Sequence, residues 1–370
     1  MMFKINLPLL FKINILCCVV LFFVTTGVSG QRGYEVSGQR HYVCYYAAEA
    51  PVIDGAGDEH VWQQVPWTED YTDIEGDIRP KPAFRTRTKM LWDKENLYIY
   101  SELEEPDLWG TLHLHDTVIY DDNDFEIFID PDNDTHDYFE MEFNTLNTEM
   151  DLFLAKPYRN GGRALLSWDA QGVRSAVQTQ GTLNHPGDTD KGWSIEMAIP
   201  LKSLSFWDDS LPRDGSQWRI NFSRVEWDRD IKNGEYVVRT NQATGRRLPE
   251  HNWAWSPQGI IDMHAPENWG YLQFSTHTGG SDTVSFVTPA DAMAREELWK
   301  VYYRQRDYRQ KQGRYAATLK GLGYIDNSGL IITMEATSNQ FMATVSGGAG
   351  HEQLSIDQDG KIGRRGRGRH

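Results

Sequence analysis

The stretch YDDNDFEIFIDPDNDTHDYFEMEFNTLN, residues 120–147, decides how this chain is read. Two alternating runs, 125–130 and 138–144, flank a loop rich in Pro, Asp and Asn, which is the pattern of an antiparallel hairpin. Strand side chains alternate between faces, so Phe125, Ile127 and Ile129 share one face, with Phe139, Met141 and Phe143 as expected partners. That face is the expected core. The other carries Glu126, Phe128, Tyr138, Glu140, Glu142 and Asn144, an uncommon concentration of carboxylates for a strand interior.

Working outward, alternation predicts a hairpin from strands 85–92 and 97–103, then strands at 150–155, 172–182, 193–199, 218–225 and 269–274. In the 193–199 strand, Trp193, Ile195, Met197 and Ile199 fall on one face and Ser194 and Glu196 on the other. Asp58 is placed to cap a short helix with Trp62 pointing inward, and one helical turn is expected at 201–204 after Pro200. Many short strands with little helical period predict a mostly β chain folded as an antiparallel β-sandwich of jelly-roll or immunoglobulin-like type. No phosphate-binding loop, dinucleotide fingerprint, nucleophile elbow or zinc-protease helix is present.

The expected divisions are a lead-in at 31–42, the sandwich at 43–275 and a linker at 276–287. A C-terminal region at 288–363 and a basic, glycine-rich tail without fixed structure at 364–370 complete the chain. Thr288 and Pro289 predict a helix start with a hydroxyl cap and proline in the first turn, and Gly313 its end, with Leu298, Tyr302 and Tyr308 facing inward. Strands at 330–335, 340–345 and 354–356 would form a small meander against that helix, the whole appended to the sandwich.

Residues 1–30 read as a secretory signal: Lys4 and Lys12 precede an apolar run, and Val28-Ser29-Gly30 supplies small residues before a cut at Gln31. A membrane anchor is the competing reading, but the uncharged run barely reaches the ~17-residue lower limit for a span. The expectation is a secreted or periplasmic protein with no membrane insertion once the signal is removed. Losing Lys4 and Lys12 takes the net charge from -16 to -18, which disfavours nucleic acid as a partner. Only Cys44 then remains, so no internal disulfide can form. The 13 Trp and 17 Tyr suit sugar recognition and a tryptophan-rich sandwich core equally well.

An ordered set of segments carries a family resemblance. Ile53-Asp54-Gly55 with Asp58 and Trp62, the Leu91-Trp92-Asp93 to Leu97-Tyr98 hairpin and Phe125-Glu126-Ile127-Phe128-Ile129-Asp130 form its first half. Gly192-Trp193 with Glu196 and Ile199-Pro200, then Trp255-Ser256-Pro257 leading to Trp269-Gly270, form its second. Over residues 43–275 the chain resembles family 9 carbohydrate-binding modules, especially the exported family-9-like kind of Bacteroidetes type. The resemblance implies a sandwich that holds a carbohydrate, of xylan or cellulose type, on an aromatic-lined surface, often with structural calcium. Tyr120 corresponds to the first of two ligand-gripping tryptophans and Met263 to the second; Glu126 and Asn144 match the polar ligand set, and Glu142 stands where an arginine is expected.

Glu126, Glu142 and Asn144 would hydrogen-bond sugar hydroxyls, or else form a network with Arg85, Arg87 or Arg224. Glu140 and Glu142, roughly 7 Å apart along one strand face, also meet the separation a glycoside hydrolase needs, which is the catalytic alternative. A third reading is a sandwich that has lost its sugar and serves as an interaction domain. Stacking is assigned to Tyr120 and to Trp109 in the neighbouring loop. No cofactor is required, but calcium is a candidate at Asp121, Asp122 and Asp124 or at Asp130, Asp132 and Asp134, although Thr135 and Met141 exclude an EF-hand. His113 and His115 beside Asp116 form only a weak zinc pattern.

Overall fold

The computed structural model describes residues 39–205, 211–325, 328–346 and 353–365, all within one compact unit. The expected leader and its expected cut at Gln31 lie outside the described residues, as do residues 366–370. The central hairpin forms from Asp124–Asp130 and Tyr138–Asn144, with Phe125 opposite Phe143, Ile127 opposite Met141 and Ile129 opposite Phe139. The expected register and core face are both present.

From this hairpin the sheet runs through Glu149–Leu154 to its short edge strand Ala164–Leu165. In the other direction it passes through Gln217–Glu226, Gly270–Thr278, His41–Tyr46, Thr86–Trp92, Asn96–Glu104, Gly192–Pro200 and Arg174–Gln180. Its two halves fold over each other, so Phe125, Ile127, Ile129, Phe139, Met141 and Phe143 pack in one core with Met90, Ile99, Ile195 and Met197. Full burial of such side chains contributes about 1.5–3 kcal/mol each, which makes this layer the main source of cohesion. Gly192 opens its strand at φ +142°, where a Cβ would lie 2.1 Å from the Leu103 carbonyl oxygen of the paired strand. Only glycine fits there.

Several expectations change. The first strand begins at His41, inside the expected lead-in, and runs parallel to both neighbours, so the sandwich is not antiparallel throughout. The short helix His60–Gln63 is entered through Glu59, and Asp58 does not cap it. The Arg229–Lys232 and Glu235–Val238 hairpin was not expected, although Asn233-Gly234, both at positive φ, is a hairpin turn signal. His251–Ala254 is a further strand beside Gln217–Glu226.

The 276–287 segment is not a free linker. Val284 N donates to Tyr45 Oη at 3.0 Å, Val287 N donates to Gln273 Oε1 at 2.8 Å, and Phe286 stacks on His41. The long helix is Ala292–Gln312, entered at Asp291 rather than Thr288, because residues 289–292 close a turn through Ala292 N and Pro289 O. It ends at Gly313 in the left-handed conformation, as expected. The meander has four strands, Ile331–Ala336, Phe341–Ser346, Gln353–Asp357 and Ile362–Arg365, the last reaching into the span read as tail. Pairing of its backbone with Gln353–Asp357 orders it.

This C-terminal region docks on the tip of the central hairpin. Ile362 N donates to Asp134 O, Thr135 Oγ1 donates to Gly360 O at 2.7 Å, Arg295 Nη1 donates to Asn133 O at 2.7 Å, and Lys361 pairs with Asp134 at 3.0 Å. The acidic tip is therefore an internal joint. Among the described residues, no helix is long and apolar enough to cross a membrane.

Candidate functional site

The outer face of the central hairpin forms the floor. Cross-strand pairing puts Glu126 opposite Glu142 and Phe128 opposite Glu140, with Asp124 opposite Asn144. All are buried, Glu126 being the most exposed of the acids at 6%. Burial pushes the carboxyls of Asp124, Glu140 and Glu142 well above the usual range, and the charge on Glu126 adds to it. Burial also raises Glu126, to about 7. Desolvation and like charge act in the same direction here because each disfavours the ionised form.

A pH dependence follows. A carboxyl whose folded pKa exceeds its unfolded value holds a proton in the native state that the unfolded chain releases. The stability it contributes is full below about pH 4.5 and is lost as pH rises through the folded pKa. For Glu126 the span from 4.5 to about 7 corresponds to on the order of 3 kcal/mol. Burial lowers His264 to about 3 and His136 to about 4, so these oppose the trend only below the ordinary histidine range. In chelator, the melting temperature should be higher at about pH 6.5 than at about pH 8. A flat or inverted profile would show that the acids are ionised without cost.

Two tyrosines stand at the rim. Tyr120 sits on the turn Ile119–Asp121, anchored by the buried Ile119, and is 46% exposed. Its N–H donates to Glu142 Oε2 at 3.2 Å and its carbonyl accepts from Trp227 Nε1 at 2.8 Å. Tyr158 sits on the turn Tyr158–Asn160 and is 44% exposed, its ring edge-on to His264 at 4.4 Å. His264 in turn stands 3.8 Å from Glu140, so Tyr158 reaches the acids through His264 as Tyr120 does through its N–H, and burial with the charges of Glu140 and Glu142 raises the Tyr158 phenol. The turn is fixed from behind: Arg159 pairs with the fully buried Glu267 at 2.7 Å and donates to His264 O, while Tyr302 Oη of the long helix donates to Asn160 Oδ1 at 2.7 Å. Tyr303 also donates to Glu267.

Tyr158 was not singled out in the sequence. Its signal is an aromatic between Pro157 and Gly161-Gly162, in a segment that reads simply as a turn.

Other expected site residues have structural roles. Trp109 is 8% exposed, packed against Val225 and Trp227 with Arg229 over its ring, and offers no open face for stacking. Met263 is buried with Phe128, Tyr138 and Trp269, so loops cover that part of the floor. Asn144 donates to Leu112 O and Asp122 Oδ2 and accepts from Leu146 N and Thr148 N, which leaves no capacity for sugar. Arg85, Arg87 and Arg224 pair with Glu104, Glu102 and the Glu105–Glu226 pair, and not with the floor.

The candidate calcium ligands divide in the same way. Asp122 accepts from Thr111 N, Thr111 Oγ1, Leu112 N and Asn144, and Asp121 forms a surface pair with Arg247. Asp130, Asp132 and Asp134 lie close together, but Asp130 accepts from Asn133 N and Thr135 N, and Asp134 is neutralised by Lys361. Asp124 instead groups with Glu126 and Glu142. His115 meets Asp116 and Asp151, without His113.

Among solved structures, the chain is similar to a family 9 carbohydrate-binding module from Caldicellulosiruptor kristjanssonii in complex with cellotriose, at 16% identity and TM-score 0.42. That match covers 67% of this chain and 100% of the module. It is also similar to a Bacteroides uniformis protein described as carbohydrate-binding, at 16% identity and TM-score 0.47, covering 64% of this chain and 100% of that one. No curated protein matches the sequence. The model of the carbohydrate family 9 binding domain-like family matches residues 53–256, which include the central hairpin, both rim tyrosines and the Glu196 strand, and the chain belongs to that family.

Proposed function

We propose that this is an exported, non-catalytic carbohydrate-binding protein whose ligand, an oligosaccharide of xylan or cellulose type, stacks on Tyr120 and Tyr158. Family membership supports the ligand class, and the observation that carries the site is the pair of half-exposed tyrosines at one acidic floor, Tyr120 bonded through its N–H to Glu142 and Tyr158 packed on His264 beside Glu140. Aromatic rings present flat apolar faces that match the C–H faces of pyranose rings. The leader pattern of residues 1–30 supports export.

Calorimetric titration with cello- and xylo-oligosaccharides tests this. Binding is expected, with Tyr120→Ala or Tyr158→Ala weakening it about tenfold, the equivalent of ~1.4 kcal/mol for a lost ring contact. The covering of Phe128 and Glu142 by the protein's own loops favours a second reading, an interaction domain without a sugar ligand. Absence of binding by the wild-type protein to every glycan in the panel would select that reading.

A further inference from the structure

We propose that Asp124, Glu126 and Glu142 hold a divalent cation of calcium type beneath Tyr120. One oxygen of each carboxylate lies within 4.8 Å of the other two. A central calcium about 2.4 Å from each oxygen requires separations of this size. Asp124 is fully buried, and its Oδ2 has no hydrogen-bond partner; Oε2 of Glu140 also lacks one, His264 Nε2 standing 3.8 Å away. An ionised oxygen in that position is costly unless a cation or a proton meets it.

Among the described residues, no arginine or lysine pairs with Asp124, Glu126 or Glu142. Strand alternation places Ser223 opposite Glu126 on the floor side and sends Arg224 to the opposite face, where it pairs with Glu105 and Glu226. The hairpin tip is different, since Lys361 already neutralises Asp134 and backbone N–H groups occupy both Asp130 oxygens. The floor is too enclosed for a bulky ammonium ligand, with no member of the trio more than 6% exposed, and a bare ion fits the observed burial better. Through the Tyr120 N–H bond to Glu142, the ion would also set the position of a rim tyrosine. The inference does not depend on sugar binding.

The test uses the full chain, stripped with chelator, returned to metal-free buffer and titrated separately with calcium, magnesium and manganese chlorides. Saturable binding of one ion per chain is expected, with a melting temperature raised by about 5 °C at a hundredfold excess over Kd. Glu142→Gln keeps an acceptor for Tyr120 N and removes one ligand charge. It should melt higher than wild type without metal yet bind the ion at least about tenfold more weakly. Asp124→Asn should behave alike, and Asp132→Asn in the hairpin tip should bind as wild type does. No saturable binding of any of the three ions, or unchanged binding in both Glu142→Gln and Asp124→Asn, would overturn the proposal.

Discussion

Arg159→Ala is expected to destabilise the protein by about 3–5 kcal/mol, because it leaves the Glu267 carboxylate buried without its charge partner. The pair is 2.7 Å long, with side chains 9% and 0% exposed, so water cannot replace the lost guanidinium. Arg159 also donates to His264 O, and the neighbouring Asn160 receives Tyr302 of the long helix. The substitution therefore loosens the turn carrying Tyr158 as well as the joint between sandwich and helix. Urea unfolding measures the loss; a change below about 1 kcal/mol would mean that the pair behaves as a solvated surface contact.

A loss of similar size is expected for Glu196→Ala. Its carboxylate receives Trp62 Nε1 at 2.8 Å, Gly55 N at 2.7 Å and Asp54 N at 3.1 Å, and it is fully buried. Burial pushes this carboxyl up to about 7, and alanine leaves its three donors without a partner at about 1–3 kcal/mol each, so about 3–5 kcal/mol should be lost. Glu196→Gln retains one acceptor oxygen and should fall between. Equal stability of wild type and Glu196→Ala would remove Glu196 from the account of the fold.

That residue also shows why the family pattern can be read from sequence. Ile53-Asp54-Gly55, Trp62 and Glu196 are distant in the chain, yet one carboxylate ties them together, so the resemblance records a physical knot. The central hairpin was legible for a simpler reason: period-two alternation fixes faces, and the flanked loop fixes register. The parallel pairing of His41–Tyr46 was not, since it depends on partners more than two hundred residues away as well as nearby ones.

Of the proposed site, the sequence offered the floor and one rim residue. Residue type and face singled out Glu126 and Glu142, and the family resemblance singled out Tyr120, but neither told which polar groups the fold itself would consume. Asn144 and Asp122 are saturated by backbone at residues 111, 112, 146 and 148, an arrangement set by how the loop before Ile119 closes. Trp109 looked like a loop aromatic, and the unexpected 229–238 hairpin covers it through Tyr236 and Val238. Tyr158 escaped notice because Glu267 and Tyr302 hold its turn in place, and neither is near in sequence. The hairpin tip reads as a cation loop until Lys361 arrives from the C-terminal meander.

The central claim is that Tyr120 and Tyr158 form the ligand-bearing rim. A crystal structure of the protein with a bound cello- or xylo-oligosaccharide tests it most directly. The account predicts a pyranose ring stacked on one or both of these tyrosines above Glu126 and Glu142, and a sugar bound on another surface with both rings left exposed would contradict it.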